Sequence, residues 1–199
     1  MEKQLRKIVD KYKPAFSKGG KFGFLHSTFD AFETFLFVPN TVTRRGSHIR
    51  DANDLKRTMI IVIIALLPAL LFGMYNVGYQ HFAAIADPVS QAMWFKCWWY
   101  GFVRMLPMIL VSYIVGLGIE FAVAQHKGEE VNEGFLVTGL LIPMIMPIDI
   151  PLWILALAVA FSVVFGKEVF GGTGMNVFNP ALLARAFVFF AYTPEISGE

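Results

Sequence analysis

The chain has 199 residues, of which 16% are charged and 56% hydrophobic, with a mean hydropathy of +0.56. The charge is uneven: residues 1–57 carry 12 basic and 6 acidic side chains, a net of +6, whereas residues 58–199 carry 5 basic and 9 acidic, a net of −4. A soluble domain carries roughly 25% charged residues, so one soluble domain, a disordered chain and a nucleic-acid-binding domain are excluded, leaving an integral membrane protein with a basic head.

Residues 1–57 read as a polar, aromatic-rich cytosolic segment. Leu5, Ile8, Val9 and Tyr12 recur at helical spacing among Lys3, Arg6, Lys7, Lys11 and Lys13, and Pro14 is expected to end that helix. Ser27 and Asp30 form a capping-box pattern ahead of Phe29, Phe32, Phe35 and Leu36, which predicts a second short helix closed by Pro39. Such amphipathic helices lie on a membrane or a partner protein. Met1 to Lys13 is charged and no short apolar stretch with a cleavage site follows, so the first apolar run is expected to act as the insertion signal. Arg44, Arg45, Arg50, Lys56 and Arg57 precede that run and would hold this end at the anionic cytoplasmic leaflet.

Residues 58–78 are free of charge over a length that crosses ~30 Å of hydrocarbon, with Pro68 inside. Residues 79–101 read as an outside loop rich in Trp and Tyr. Its Cys97 has no second cysteine to pair with and reads as a small apolar filler beside Trp94, Trp98 and Trp99. Residues 102–124 form the second predicted span, with Arg104 toward its outer end and Glu120 toward its inner end, and residues 125–134 a short polar loop. Two runs of about fifteen residues follow, 135–149 and 152–166, both short for straight spans, the first broken by Pro143 and Pro147. A glycine-rich stretch, 166–180, separates them from a last run over 180–192 that carries Arg185. Irregular backbone at membrane depth survives only where it lines a cavity or is buried in protein, so these segments predict broken or re-entrant helices. With the N-terminus inside, the head, Lys127 and Lys167 place 14 of the 17 basic residues on the cytoplasmic side, and five crossings leave the C-terminus outside.

Three features could carry chemistry. Gly171, Gly172 and Gly174 permit close backbone approach, and Asn176 and Asn179 each offer a donor and an acceptor. That set suits the edge of a planar heterocycle such as an isoalloxazine or a quinone. It equally suits a tight loop whose asparagines cap helix ends, with Pro180 opening the last helix. Glu120 in an apolar helix could bind a cation, relay a proton or contact a polar head group, or it could snorkel to the cytoplasmic face beside His126 and Lys127. Gly116 and Gly118, about one turn away, leave room for a flat ligand or a close helix. Arg185 could pair with a buried carboxylate or an anionic cofactor, or serve in a helix-packing ion pair. Lys167 and Glu168 read as interfacial, and Asp149 as lying at the outer surface. No P-loop, dinucleotide fingerprint, Ser/His/Asp set or zinc-type His spacing occurs, which argues against hydrolytic and zinc chemistry, and no metal site is expected.

Four stretches carry a family resemblance: RDANDLKR (50–57), PALLFGMYNVG (68–78), EVNEGFLVT (130–138) and GKEVFGGTGMNVFNPALLARAF followed by FFAY (166–192). They closely resemble the B subunits of the bacterial Na⁺-translocating NADH:ubiquinone reductase over essentially the whole chain. The homologous D subunits of the Rnf-type complex are similar through the spans but lack so long a head.

The resemblance implies a respiratory complex of the bacterial inner membrane that passes electrons through flavins to ubiquinone and exports Na⁺, assembled from several subunits. It implies an all-α fold of about five transmembrane or broken helices, one repeat of an inverted-repeat, urea-transporter-like architecture. It implies riboflavin contacts at Asn176 and Asn179, with Gly172 and Thr173 nearby. It places Gly116 and Glu120 near the quinone site, with Leu117 where the family pairs glycines, and Lys21, Phe22 and residues 50–56 beside that pocket. The covalent FMN of the family is carried by the threonine of a Ser-Gly-Ala-Thr type motif, which these residues lack. The attachment threonine is therefore expected beyond residue 199, in a longer protein of which this is the N-terminal half, or the chain is a truncated product. A passive channel or transporter built on the same repeat, and an anchor for partner subunits, are the alternative readings.

Overall fold

A computed structural model of the chain describes residues 2–16, 29, 46, 55–87, 90, 92–127, 134–172 and 174–193. The described residues are overwhelmingly helical, with no strand among them. Their α-helices are α1 (Glu2–Phe16), α2 (Leu55–Ala84), α3 (Trp94–Lys127), α4 (Phe135–Ile145), α5 (Leu152–Gly166) and α6 (Pro180–Ala191). A short 3₁₀ turn, Glu168–Phe170, follows α5. The second head helix lies outside the described residues but for Phe29, as do Lys21, Phe22 and Thr173. The Phe29 ring stacks on Phe16 at 4.9 Å.

Helix α1 runs through Pro14 to Phe16, two residues past the expected stop. A proline in the last turn forfeits one backbone bond, which a helix end tolerates. Among the described residues, three stretches are long and apolar enough to cross a membrane: Thr58–Ala84, Trp94–Lys127 and Leu152–Phe170. Ile60, Ile61, Ile64, Leu71 and Phe72 are exposed along α2, and Leu110 and Ile114 along α3. In water such faces would be costly; against lipid tails they are matched.

The segment expected as an outside loop is helical over much of its length. Residues 79–84 and 94–101 are helical, so both flanking helices extend into that segment. His81 stacks on Tyr100 at 4.1 Å and Tyr75 on Trp94 at 6.4 Å, so the aromatic residues zip the two helices together beyond the charge-free core. Gly78 abuts the backbone of Cys97, and Gly101 abuts the backbone of Met74, so a Cβ at either glycine would strike the partner helix. These reciprocal contacts fix α2 and α3 as an antiparallel pair crossing at small residues. Leu70, Met74, Met105 and Leu140 form the packing cluster beneath the crossing.

The remaining helices build the second core around Phe135, Ile142, Leu155, Val159, Val163 and Val188. Helix α4 starts at the level of Gly116, where the Phe135 ring fills the space a Cβ would take. It runs antiparallel to α3 and stops at Ile145, with Met146 extended (φ −88°, ψ 152°). Met146 precedes Pro147, and the residue before a proline disfavours the helical region. The chain turns over residues 146–151, and α5 returns parallel to α3, Arg104 pairing with Asp149 at one end and Glu120 with Lys167 at the other. Helix α6 then runs antiparallel to α5: Leu183 lies against Gly166, Phe187 stacks on Phe161, and Tyr192 meets Trp153 edge-on. At 11 and 12 residues, α4 and α6 each span only ~17 Å at 1.5 Å per residue. They are the broken helices expected from Pro143, Pro147 and the glycine-rich stretch.

Candidate functional site

The Glu120 end of the α3–α5 packing gathers charge that sequence spacing does not reveal. Lys167 Nζ donates to Glu120 Oε1, and their side chains are only 6% and 3% exposed. Lys127 lies 3.7 Å from Glu168 on the rim of the same cluster. Glu120 therefore does not snorkel beside His126 and Lys127; it is held inward, with its counter-charge supplied from 47 residues away. Lys167, expected at the interface, is buried as well. A carboxylate taken out of water needs such a partner, because isolated burial of a charge costs several kcal/mol.

Glu120 belongs to a buried stripe on α3 that includes Met108, Ser112, Gly116 and Ala124. Gly116 is closed by the Phe135 ring, so its missing side chain admits a helix partner in this structure, whereas Gly118 faces open space. Ser112 Oγ is the one buried side-chain polar atom among the described residues with no hydrogen-bond partner. It lies two turns from Glu120 on the same face, so this stripe is the polar seam of an otherwise apolar helix.

The glycine-rich loop begins where α5 ends. Lys167 closes α5 by donating its backbone N–H to the Val163 carbonyl, and the turn Glu168–Phe170 ends on Gly171 with φ +108°. Gly172 follows with φ +96°, its N–H bonded to the Lys167 carbonyl at 3.0 Å. Two successive positive φ values are readily adopted by glycine alone, and they reverse the chain directly beside the buried Glu120–Lys167 pair.

Both asparagines take part in the loop itself. Asn176 Oδ1 accepts from the Gly174 N–H at 3.2 Å, and its Nδ2 donates to the Phe178 carbonyl at 3.0 Å. Asn179 Oδ1 accepts from Ala181 N–H at 2.9 Å and Leu182 N–H at 3.4 Å, capping α6 with Pro180 behind it. The capping geometry foreseen for Asn179 is thus present. The cap uses the carbonyl oxygen and leaves the amide nitrogen of Asn179 outside it. Around the loop, Phe170, Met175, Val177, Phe178 and Leu182 are exposed, and Phe170 meets Phe178 edge-on at 6.5 Å.

Arg185 finds neither a carboxylate nor an ion pair among the described residues. Its Nη1 donates to the Ile145 carbonyl, a free acceptor at the broken end of α4. The guanidinium so placed also complements the negative end of that helix dipole. Arg104 and Asp149, 3.1 Å apart and exposed at 52% and 77%, mark the opposite end of the bundle, as their positions in the sequence suggested. The described residues hold no group of three or more His, Cys, Asp or Glu able to bind a metal. Sequence reasoning missed the burial of Lys167 and the Arg185–Ile145 contact. Lys167 had one signal that could have found it: a lysine directly abutting a fifteen-residue run whose one polar side chain is Ser162.

Long lipid-facing helices, two half-length helices and a buried ion pair beside a glycine-rich turn define a polytopic helical membrane protein built around interrupted segments. Residues 42–198 match the sequence profile of the NQR2, RnfD, RnfE family, and the chain belongs to that family. Its relatives include proteins named as the B subunit of the Na(+)-translocating NADH-quinone reductase. That of Pseudomonas aeruginosa is 43% identical over 216 residues, covering 98% of this chain and 53% of the relative. Those of Pseudomonas paraeruginosa and Azotobacter vinelandii are 44% and 41% identical, each over 98% of this chain and 53% of the relative. The chain spans about half the length of the curated relatives it matches.

Proposed function

We propose that the protein works as a membrane subunit of a Na⁺-translocating NADH:quinone oxidoreductase, in which electrons from NADH reach ubiquinone by way of flavin and Na⁺ is exported. The observation that carries this reading is the similarity to the reductase's B subunits along 98% of the chain at 41–44% identity. In this reading the protein sits in the bacterial inner membrane among other subunits. Its head, residues 1–57, lies on the cytoplasmic side, where the basic residues concentrate, and residues 58–199 form the membrane domain as one repeat of an inverted-repeat fold.

The glycine-rich loop is the candidate contact for non-covalent riboflavin. Its residues fit a flat, edge-polar ring: the Asn179 amide nitrogen is left over from the helix cap, Gly172 and Gly174 have open space where a side chain would stand, and the exposed rings of Phe170 and Phe178 offer a stacking surface. Thr173, between those glycines, belongs to the same candidate contact. A flavin, when bound, supplies one- and two-electron transfer. The protein's part is to present an amide edge and an apolar face and to keep the loop rigid through the Asn176 bonds. Covalent FMN enters only as a group of the whole complex, since no Ser-Gly-Ala-Thr motif occurs in these residues.

Gly116 and Glu120 are the candidate quinone-side residues. Glu120 is buried against Lys167 and Gly116 is closed by the Phe135 ring, so in this reading a quinone head reaches them only as that packing opens.

Two substitutions separate the cap from the flavin contact. Asn179→Asp keeps an acceptor for the α6 amides and removes the amide donor; Asn176→Ala removes both local bonds. Both are expected to lower non-covalent riboflavin in the purified complex, with Asn179→Asp leaving stability unchanged. Unchanged riboflavin in both would reject the assignment. A second reading, an Rnf-type ion-translocating complex, is favoured by the breadth of the matched family. It predicts reduction by ferredoxin and not by NADH.

A further inference from the structure

We propose a binding site for an anionic phospholipid on the aromatic end of the α2–α3 pair, remote from the glycine-rich loop and the Glu120–Lys167 pair. An open groove of about 370 Å³ is lined there by Phe82, Phe95, Lys96, Trp99, Tyr100 and Val103. That volume sits at the lower end of the ~300–1,000 Å³ typical of small-molecule sites. All but Phe82 come from the first ten residues of α3, and Phe82 closes the groove from the last turn of α2.

The lining is graded along its length. Lys96 stands near the start of α3, and Val103 lies seven residues further along it. At 1.5 Å per residue, that sets Lys96, the one cation of the lining, ~10 Å from Val103, beside which Arg104 is occupied by Tyr100 and Asp149. Phe95, Trp99 and Val103 recur at i, i+4 and i+8 and so share one helix face, and all three are exposed. Rings fix the walls: Phe95 stacks on Trp99 at 6.2 Å, and Phe82 lies 5.7 Å from Tyr100, itself stacked on His81. The groove is therefore braced by its own aromatic contacts.

Charge selects the occupant. Lys96 Nζ makes one long hydrogen bond, 3.4 Å to Ser90 Oγ, and no carboxylate among the described residues lies within ion-pair distance of it. An ammonium has three donors, so two remain for an anion. Trp and Tyr belts locate at the headgroup level of a bilayer, which brings Lys96 level with lipid phosphates and Val103, beside the exposed Arg104–Asp149 pair, to the glycerol level where the acyl chains begin. A ligand with a phosphate at one end and a hydrocarbon tail at the other matches this gradient. A net negative headgroup is preferred over a zwitterionic one, because a headgroup cation would compete with Lys96 for the phosphate.

The test uses the protein purified from native membranes with its bound subunits, reconstituted into phosphatidylcholine nanodiscs. These are doped with either phosphatidylglycerol or phosphatidylcholine bearing the same diazirine-tagged acyl chain, and crosslinks are mapped by mass spectrometry. The expected result is labelling within residues 94–104 that favours phosphatidylglycerol about fivefold, the preference one basic side chain gives at an anionic lipid surface. Lys96→Gln should bring labelling down to the phosphatidylcholine level, and Lys96→Arg should retain the preference. Equal labelling by the two lipids, a preference that survives Lys96→Gln, or no labelling of this segment because a protein neighbour covers it would each overturn the proposal.

Discussion

Replacing Lys167 by methionine isolates the energetics of the buried pair. The substitution keeps the length and apolar stem of the side chain and removes its charge, leaving the Glu120 carboxylate 3% exposed with no compensating cation. Removing one partner of a buried ion pair typically costs about 3–5 kcal/mol. At 1.4 kcal/mol per decade, even the lower figure reduces the folded-to-unfolded ratio by roughly a hundredfold. The double variant Glu120→Leu/Lys167→Met removes both charges and should lie within ~1 kcal/mol of the parent, because an apolar replacement of a buried pair is commonly near neutral. Equilibrium unfolding in mixed micelles, followed by tryptophan fluorescence, reads all four corners of the cycle. If Lys167→Met costs less than ~1 kcal/mol, or if the double variant is as unstable as the single one, the two residues do not act as a desolvated unit.

Other contacts carry consequences of their own. Gly101→Ala should destabilise the α2–α3 crossing by about 1–3 kcal/mol, since its Cβ meets backbone of Met74 that cannot rotate away; thermal unfolding of the variant reads it, and an unchanged midpoint would mean the helices do not cross there. Arg185→Leu leaves the Ile145 carbonyl without its donor and should cost about 1–3 kcal/mol by the same assay. Asn179→Ala should cost about 0.5–2 kcal/mol through loss of the α6 cap, a penalty that Asn179→Asp should not show. Glu120→Gln should alter the quinone KM more than flavin content, measured on the purified complex; an unaffected quinone KM would remove Glu120 from the quinone side.

Local chemistry in the sequence carried most of the helical layout. The charge-free run after Arg57, the prolines at 143 and 147, and Asn179 ahead of Pro180 each act within a turn or two, and α2, the break after α4 and the start of α6 stand where they pointed. The reach of α2 and α3 through the aromatic segment was not legible. Charge-free length marks the hydrocarbon span, whereas helices continue as long as side chains such as His81 and Tyr100 have each other to pack on. The site was legible in its parts only. Glycines and asparagines announced a tight turn, but Lys167 reaching Glu120, and Arg185 reaching the end of α4, depend on how α3, α4, α5 and α6 are placed side by side. Gly116 illustrates the same limit: its open face is visible in sequence, but the Phe135 ring that occupies it comes from another helix.

Service in a redox-driven Na⁺ pump is tested most directly by ²²Na⁺ uptake into inverted membrane vesicles from the source cells. Uptake is followed with and without NADH, in the parent and in a strain lacking the protein. The expected uptake starts on adding NADH, disappears without the protein and returns when it is restored. NADH-dependent uptake that continues in its absence, or protein-dependent uptake that needs no NADH, would contradict a role in the pump.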